Sequence, residues 1–451
     1  MKKLSVKITA FVLCILMCVS LCSCDMINSA IESVTDTVSS LVAPKGMVED
    51  ISLGYTEMDS TPYSYSPHYT PFLCRESYNC LENDKMRELY DMLYESAFFV
   101  YPRSFSNAEY KCRQVVLLES QLSEAQIRLV IKALTDDNPQ VFWLSTTFGF
   151  LVSPAENYTA VQLYSRSHPE ILKEDISKLK AEVDEFFESV ESGLSQYERE
   201  KYAHNFILEK CEYDDSLKDT LTVPKGKEAA FDPYGVMVDG VAVCEGYART
   251  FQLLCNGLGL KCINIIGESE GELHMWNAVE LDGDYYYVDP TWDDKDDEAF
   301  MYDYFNISEK QLLYDHDFSA LSEDMSDEEI CGEGRVNALT SNFFIPKCTS
   351  TAYNYYIRES AHLSNYEGEK VKEKLLQSAL NKEKYFNFYI DPKELTYEYA
   401  VDQLFFSYPQ YFFKYVDDVN YELPDYSLDK NNLSFYQKEQ ISVVTIMLKY
   451  V

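Results

Sequence analysis

The stretch Gly240-Val241-Ala242-Val243-Cys244-Glu245-Gly246-Tyr247-Ala248-Arg249-Thr250-Phe251-Gln252-Leu253-Leu254-Cys255 decides how this chain is read. A cysteine follows shortly after a glycine turn, and Ala248, Phe251 and Leu254 or Cys255 then recur at helical spacing until Asn256-Gly257 ends the pattern. A thiol at a helix N-terminus faces backbone N–H groups with no intrahelical partner and sits at the positive end of the helix dipole. Both favour the thiolate, the nucleophilic form. The same N–H groups can hold an oxyanion. Cys244 is therefore read as a nucleophile, against the alternative of a buried structural thiol.

Such chemistry needs a base to take the thiol proton and a third group to orient that base. Working outward, Cys262 to Gly267 reads as a strand, and Leu273-His274-Met275-Trp276-Asn277-Ala278-Val279-Glu280-Leu281 as a second one with His274 near its start. Asp282-Gly283 is a two-residue hairpin turn, and Tyr285 to Trp292 is the returning strand. That turn sets Leu281 opposite Asp284, Trp276 opposite Asp289 and His274 opposite Thr291. His274 and Asp289 are then diagonal neighbours on one face, about 7–8 Å apart at the backbone and within side-chain reach. Tyr247, Trp276 and Trp292 are read as core or substrate-pocket wall rather than as reacting groups.

Cys244-Glu245-Gly246-Tyr247-Ala248, His274-Met275-Trp276-Asn277 and Asp289-Pro290-Thr291-Trp292, in that order, resemble the core of the transglutaminase-like superfamily, in particular its bacterial secreted members. Tyr202 to Ile207 and Cys211 to Asp214 resemble the helix before that core, and Tyr304 to Ser308 its closing segment. The resemblance covers about Ser195 to His316. It implies an α+β fold with a papain-like core, in which a helix bearing the cysteine packs on an antiparallel sheet bearing the histidine and aspartate. It further implies Cys244 as nucleophile, His274 as general base and acid, and Asp289 as the group orienting the imidazole. Met275 stands where the family usually has alanine, which narrows the pocket without touching the chemistry.

The N-terminus addresses location. Lys2, Lys3 and Lys7 precede an uncharged apolar run from Ile8 to Cys22, too short for a comfortable membrane span. Leu21-Cys22-Ser23-Cys24 resembles the lipobox of bacterial lipoproteins, which implies cleavage after Ser23 and lipidation of Cys24. An ordinary secretory signal and an uncut anchor are the alternatives. The expected location is the outer face of the cell membrane, where disulfides are permitted. Nine cysteines remain beyond Cys24, an odd number without a CxxC pair, so neither a zinc site nor a definite disulfide set is indicated.

Charge narrows the partners. The chain has 39 Lys plus Arg against 75 Asp plus Glu, a net charge of -36. Loss of the signal removes three lysines and no acid, taking the charge to -39. Nucleic acid is excluded as a partner, because its phosphates must be met by clustered cations. The acidic run Asp293 to Glu298 lacks the alternating ligands and central glycine of a calcium loop and reads as solvated loop. No metal or cofactor is implied. His204 is read as a structural helix residue, and His68, His168, His316 and His362 receive no role.

At 451 residues the chain fits two or three domains. The expected division is a signal at 1–23, a lipid-anchored tether at 24–82, an N-terminal α+β extension at 83–194, the core at 195–320, an acidic linker at 321–350 and a C-terminal α+β domain at 351–451. In the last, strands are expected at 353–358 and near 411–419, and a helix from Pro392 to Phe406 capped by Asp391. The expected function is cleavage or acyl transfer at protein or peptide amides through an acyl-enzyme. A surface binding or assembly lipoprotein, with the core as scaffold, is the alternative.

Overall fold

The computed structural model describes residues 56–58, 67–104, 109–112, 115–217, 223–224, 226–295, 299, 301–318, 342–363 and 368–451. The lipobox-like stretch with Cys24, most of the expected tether and most of the expected acidic linker lie outside them. The described residues form two compact units, one built on 56–58 and 77–181, the other on 67–76, 182–318 and 342–451. Among the described residues no helix is long and apolar enough to cross a membrane.

The first unit joins strands β1 (Thr56–Glu57), β2 (Phe99–Ser104), β3 (Tyr110–Cys112), β4 (Val116–Leu118), β5 (Leu144–Ser153) and β6 (Tyr158–Ser165) in one sheet. Helices α1 (Asp84–Ala97) and α2 (Glu124–Asp137) pack on each other through Met86, Leu89, Leu93, Ile127, Val130, Ile131 and Leu134, all buried. The expected Ser123/Gln126 capping box is present: the Gln126 N–H donates to the Ser123 hydroxyl and the Ser123 N–H to the Gln126 side chain. The tether expected to run to residue 82 ends earlier. Thr56–Glu57 pairs with Phe99–Val100, and Met58 and Leu81 are buried, because apolar side chains in this stretch have a sheet and a helix to cover.

The boundary between the units falls within helix α3 (Pro169–Ser189), before the expected break at residue 194. Gly193, with φ of +82°, turns the chain into α4 (Gln196–Lys210), capped by a second capping box at Ser195 and Glu198. Short strands β7 (Glu212–Tyr213) and β8 (Val241–Ala242) then pair in parallel and deliver the chain to α5 (Cys244–Gly257). Behind α5 stands the antiparallel sheet β11–β10–β9–β12, formed by β9 (Lys261–Ser269), β10 (Glu272–Leu281), β11 (Asp284–Val288) and β12 (His316–Asp317). Ala248 of α5 packs on Ile266 and Met275, and the Asn277 side chain donates to the Ala248 carbonyl at 2.9 Å. The architecture is thus α+β, with the cysteine helix laid on the sheet that carries His274.

The C-terminal segment has its own core and a four-stranded sheet of β13 (Ala361–Leu363), β14 (Tyr385–Ile390), β15 (Ser434–Lys438) and β16 (Val443–Met447). It nonetheless belongs to the second unit rather than standing apart. Buried Lys438 reaches Asp303 at 2.7 Å, the Tyr356 hydroxyl at 2.9 Å and the Ala299 carbonyl, and a buried cation without such partners would be strongly destabilising. Three local expectations are corrected here. Residues 355–359 are helical, with Asn354 accepting from the Ile357 N–H. Tyr411–Asn420 is a helix with Phe412, Tyr415, Val416 and Val419 on its buried face. The helix expected from Pro392 begins only at Tyr397. Tyrosine and phenylalanine suit strands locally, but a buried face at helical period overrides that propensity.

Candidate active site

Cys244 occupies the first position of α5, half-buried, behind the N-cap residue Val243, whose side chain makes no capping bond. The N–H groups of a first helical turn have no intrahelical partner. Gly246 explains the glycine two residues on: a Cβ there would lie 2.6 Å from the Ala230 carbonyl oxygen, which accepts the Val243 N–H at 2.9 Å. Any side chain would push the helix start off the loop that holds it, and Cys244 with it.

His274, 8% exposed, lies near the start of β10 with its ring stacked on Trp276 at 5.9 Å. Its Nε2 meets Asp289 Oδ2 at 2.6 Å, which leaves Nδ1 for the Cys244 thiol, its other hydrogen-bond partner. Burial opposes charge on this imidazole, yet the Asp289 carboxylate, with the Cys244 sulfur, overrules it and lifts its pKa to about 10.

Asp289 reaches its place differently from the expected hairpin. The ladder holds from Leu281↔Asp284 to Asn277↔Val288 and then stops, so neither Trp276 with Asp289 nor His274 with Thr291 is a paired position. Pro290 has no N–H to continue the ladder, and Asp289 instead caps the single helical turn α6 (Pro290–Asp293). Its Oδ1 accepts from the Thr291 and Trp292 N–H groups at 3.0 and 3.1 Å. That cap fixes the carboxylate and leaves Oδ2 for histidine. Burial alone would raise its pKa, but the two imidazoles that reach it hold it well below the usual carboxylate range.

The second imidazole is His316, to which the sequence assigns no role. Its Nε2 meets the same Asp289 Oδ2 at 3.0 Å and its Nδ1 meets Asp315 Oδ1 at 2.6 Å. The Tyr304 hydroxyl donates to the other Asp315 oxygen at 2.5 Å. β12 can bring His316 this close because residue 267 is glycine: a Cβ there would be 2.1 Å from the Asp317 carbonyl and 2.5 Å from the Trp276 ring. A histidine between two acids, Asp315-His316-Asp317, just past the closing segment was the local signal that could have found it.

Of the three aromatics read as pocket wall, Tyr247 and Trp276 are fully buried, and Tyr247 donates its hydroxyl to Asp294. Trp292 is half-buried, its ring 6.5 Å from His274 and 5.1 Å from His316. Tyr213, half-buried beside the thiol, was also missed: burial first and the Cys244 sulfur second raise its hydroxyl. The acidic run is solvated loop neither at Asp293 nor at Asp294. Asp293 is buried, meets His204 Nε2 at 3.0 Å and accepts the Tyr304 N–H at 2.8 Å, so it ties α4 to the closing segment.

Among the described residues the one His/Asp/Cys/Glu grouping with metal-ligand spacing is His274, Asp289 and His316, with donor atoms within 4.8 Å of one another. Those atoms are spent on each other: Asp289 accepts from two imidazoles and two backbone N–H groups, and a cation would have to break the imidazole bonds. The grouping is a hydrogen-bonded relay running from the thiol inward.

Fold and site together define a cysteine–histidine–aspartate arrangement at the meeting of a helix start and an antiparallel sheet. Residues 183–290 match the family model of the transglutaminase-like superfamily, and a transglutaminase-like domain occupies that stretch. Kyphoscoliosis peptidase of Mus musculus is 29% identical over 115 residues, 23% of this chain and 17% of that protein. The Homo sapiens protein of the same name is 35% identical over 75 residues, 14% of this chain and 11% of that protein. The chain thus spans less than a fifth of the length of these curated relatives. Among solved structures, a TGase aligns at 14% identity over 38% of this chain and 48% of its own, with a TM-score of 0.21. A protein of Cytophaga hutchinsonii provisionally designated a cysteine protease aligns at 11% identity over 43% and 70%, with a TM-score of 0.20.

Proposed function

We propose that this chain is a thiol enzyme acting on amide bonds of proteins or peptides, held on the outer face of the cell membrane by lipid on Cys24. One observation carries the chemistry: the Cys244 thiol at a helix start, hydrogen-bonded to an imidazole whose far nitrogen is held by a buried carboxylate. The Cys244 thiolate adds to the amide carbonyl carbon, and the N–H groups of the first turn of α5 receive the oxyanion. His274, carrying the proton taken from the thiol, delivers it to the leaving amine as the C–N bond breaks, and a thioester remains. Water then gives hydrolysis and a second amine gives acyl transfer. Hydrolysis is the favoured outcome, because water needs no second binding site.

Two measurements test this. Iodoacetamide at slightly acid pH should alkylate Cys244 well before Cys112, Cys211, Cys255 and Cys348, whose thiols burial raises, to about 12 in Cys211 and Cys348. If Cys244 reacts no faster than the other thiols, exposed Cys80 included, the enzyme reading fails. Mass analysis of products from a peptide library, with and without an added primary amine, then separates hydrolysis from transfer. For the anchor, full-length chain expressed in a bacterial host should incorporate labelled fatty acid and lose it in Cys24→Ser. Equal labelling of the two would remove the lipid from the proposal.

A further inference from the structure

His316 is buried, and both its ring nitrogens face carboxylates: Nε2 faces Asp289 Oδ2 at 3.0 Å and Nδ1 faces Asp315 Oδ1 at 2.6 Å. An ionised carboxylate only accepts, so each nitrogen must carry a hydrogen, and a ring with both is a cation. We propose that His316 is a positioning residue of this site: a fixed positive charge behind Asp289 that locks the carboxylate onto His274 and weakens the grip of Asp289 on the His274 proton. The inference rests on the thiol-enzyme reading and deepens it.

The geometry supports both halves of the role. Asp289 Oδ1 is tied to the start of α6, so the carboxylate cannot turn, and Oδ2 is shared by the two imidazoles, whose ring centres lie 5.5 Å apart. Two like charges at that distance disfavour each other, so a charged His316 makes it easier for His274 to give up its proton. Without it, a fully buried carboxylate would hold the His274 imidazolium too firmly for a residue that must release a proton in every cycle. The site around His316 is built to keep it charged. Asp315 is itself held by the Tyr304 hydroxyl at 2.5 Å. Trp276, Trp292 and Tyr304 enclose the ring at 5.1, 5.1 and 5.4 Å. The charged and titratable groups facing it are Asp289, Asp315 and His274, with the Tyr304 hydroxyl behind Asp315 and Cys244 behind His274. Lys295 lies over the Trp292 and Tyr304 rings at 5.5 and 5.8 Å and stays outside the enclosure. On β12 and β9, Asp317 and Glu268 sit at the next paired position.

The test reads the Cys244/His274 pair with and without turnover. The rate of Cys244 alkylation by iodoacetamide is followed against pH in wild type, His316→Gln and Asp315→Asn, beside thermal melts and, where turnover exists, kcat and KM. Asp315→Asn separates charge from geometry: the asparagine amide can donate to Nδ1, leaving a neutral His316 whose Nε2–H still reaches Asp289. Both variants should move the acid limb of alkylation to higher pH by about one unit. Turnover should show the same displacement in its alkaline limb, and kcat should fall about tenfold in His316→Gln with KM little changed. A purely structural role would lower the melting temperature and leave the limbs in place; limbs unmoved in folded Asp315→Asn overturn the proposal. Because alkylation needs no substrate, loss of the amide-cleavage reading would appear separately, as absence of Cys244-dependent turnover in wild type.

Discussion

Cys244→Ala is expected to lose about 10⁴-fold or more of turnover while melting like wild type. The side chain removed is small and half-buried, so little packing is lost, and the helix start is held by the Val243 N–H bond to Ala230 rather than by the thiol. His274→Ala should cost as much, and the double variant no more than either single one, since base and nucleophile act as one unit. Asp289→Asn should fall in the same range for another reason. An amide that turned its oxygen to the position shared by the two imidazoles would set its NH2 against the Thr291 and Trp292 N–H groups, and one that kept the helix cap would present NH2 to the imidazoles, so His274 loses the partner that sets its tautomer. Steady-state kinetics on one peptide substrate, with melts as control, checks the series. Activity of Cys244→Ala within tenfold of wild type would remove the nucleophile from the scheme.

Glu200→Gln is expected to stabilise the protein increasingly as pH rises. Glu200 is fully buried on α4; its Oε2 accepts from the Asn306 side chain at 2.7 Å and its Oε1 has no hydrogen-bond partner among the described residues. Burial raises its pKa from 4.5 to about 8, against the opposing Asn306 bond. The folded state therefore binds a proton that the unfolded chain releases, and the stability this represents is complete below about pH 4.5 and lost as pH rises to about 8. Glutamine keeps the volume and the Asn306 bond without that proton. The stability difference between variant and wild type should grow by about 1.4 kcal/mol per pH unit across this window and reach the order of 5 kcal/mol before levelling. The comparison must be a difference, because buried Asp293, also raised, loses its own proton-linked stability as pH rises through about 6, and His274 loses its share as pH climbs towards 10. Denaturant unfolding of both proteins from pH 5 to 9 gives the answer; a constant difference would place the charge elsewhere.

How far the site could be read depended on how local its determinants are. The helix start at Cys244 follows from a glycine turn and a 3.6-residue apolar period, and the hairpin at Asp282-Gly283 from a dipeptide that adopts positive φ at both positions, +50° and +91°. The proximity of His274 and Asp289 was legible because one turn sets the register, even though Pro290 ends the ladder earlier than simple pairing implies. His316 was not legible in the same way. It comes 27 residues after Asp289, on a two-residue strand seated only because Gly267 admits the Asp317 carbonyl. Nor was the C-terminal aromatic segment: Tyr411 to Val419 has the composition of a strand and the burial period of a helix, and the neighbouring sheet decides between them.

By itself the sequence determined the helix that presents Cys244 and the hairpin that brings His274 and Asp289 within reach, and its motifs implied the α+β class through their resemblance to the transglutaminase-like superfamily. The helix and the hairpin rest on short-range periodicity and turn chemistry, which act within a few residues. Only the tertiary structure decided that Asp289 is a helix cap shared by two imidazoles, that Asp293 and His204 form a buried pair, and that Lys438 ties the C-terminal sheet to the loop at Ala299 and Asp303. Each of these joins groups distant in sequence, and each exists because a buried charge must find an opposite charge or a hydrogen bond wherever the packed chain places one.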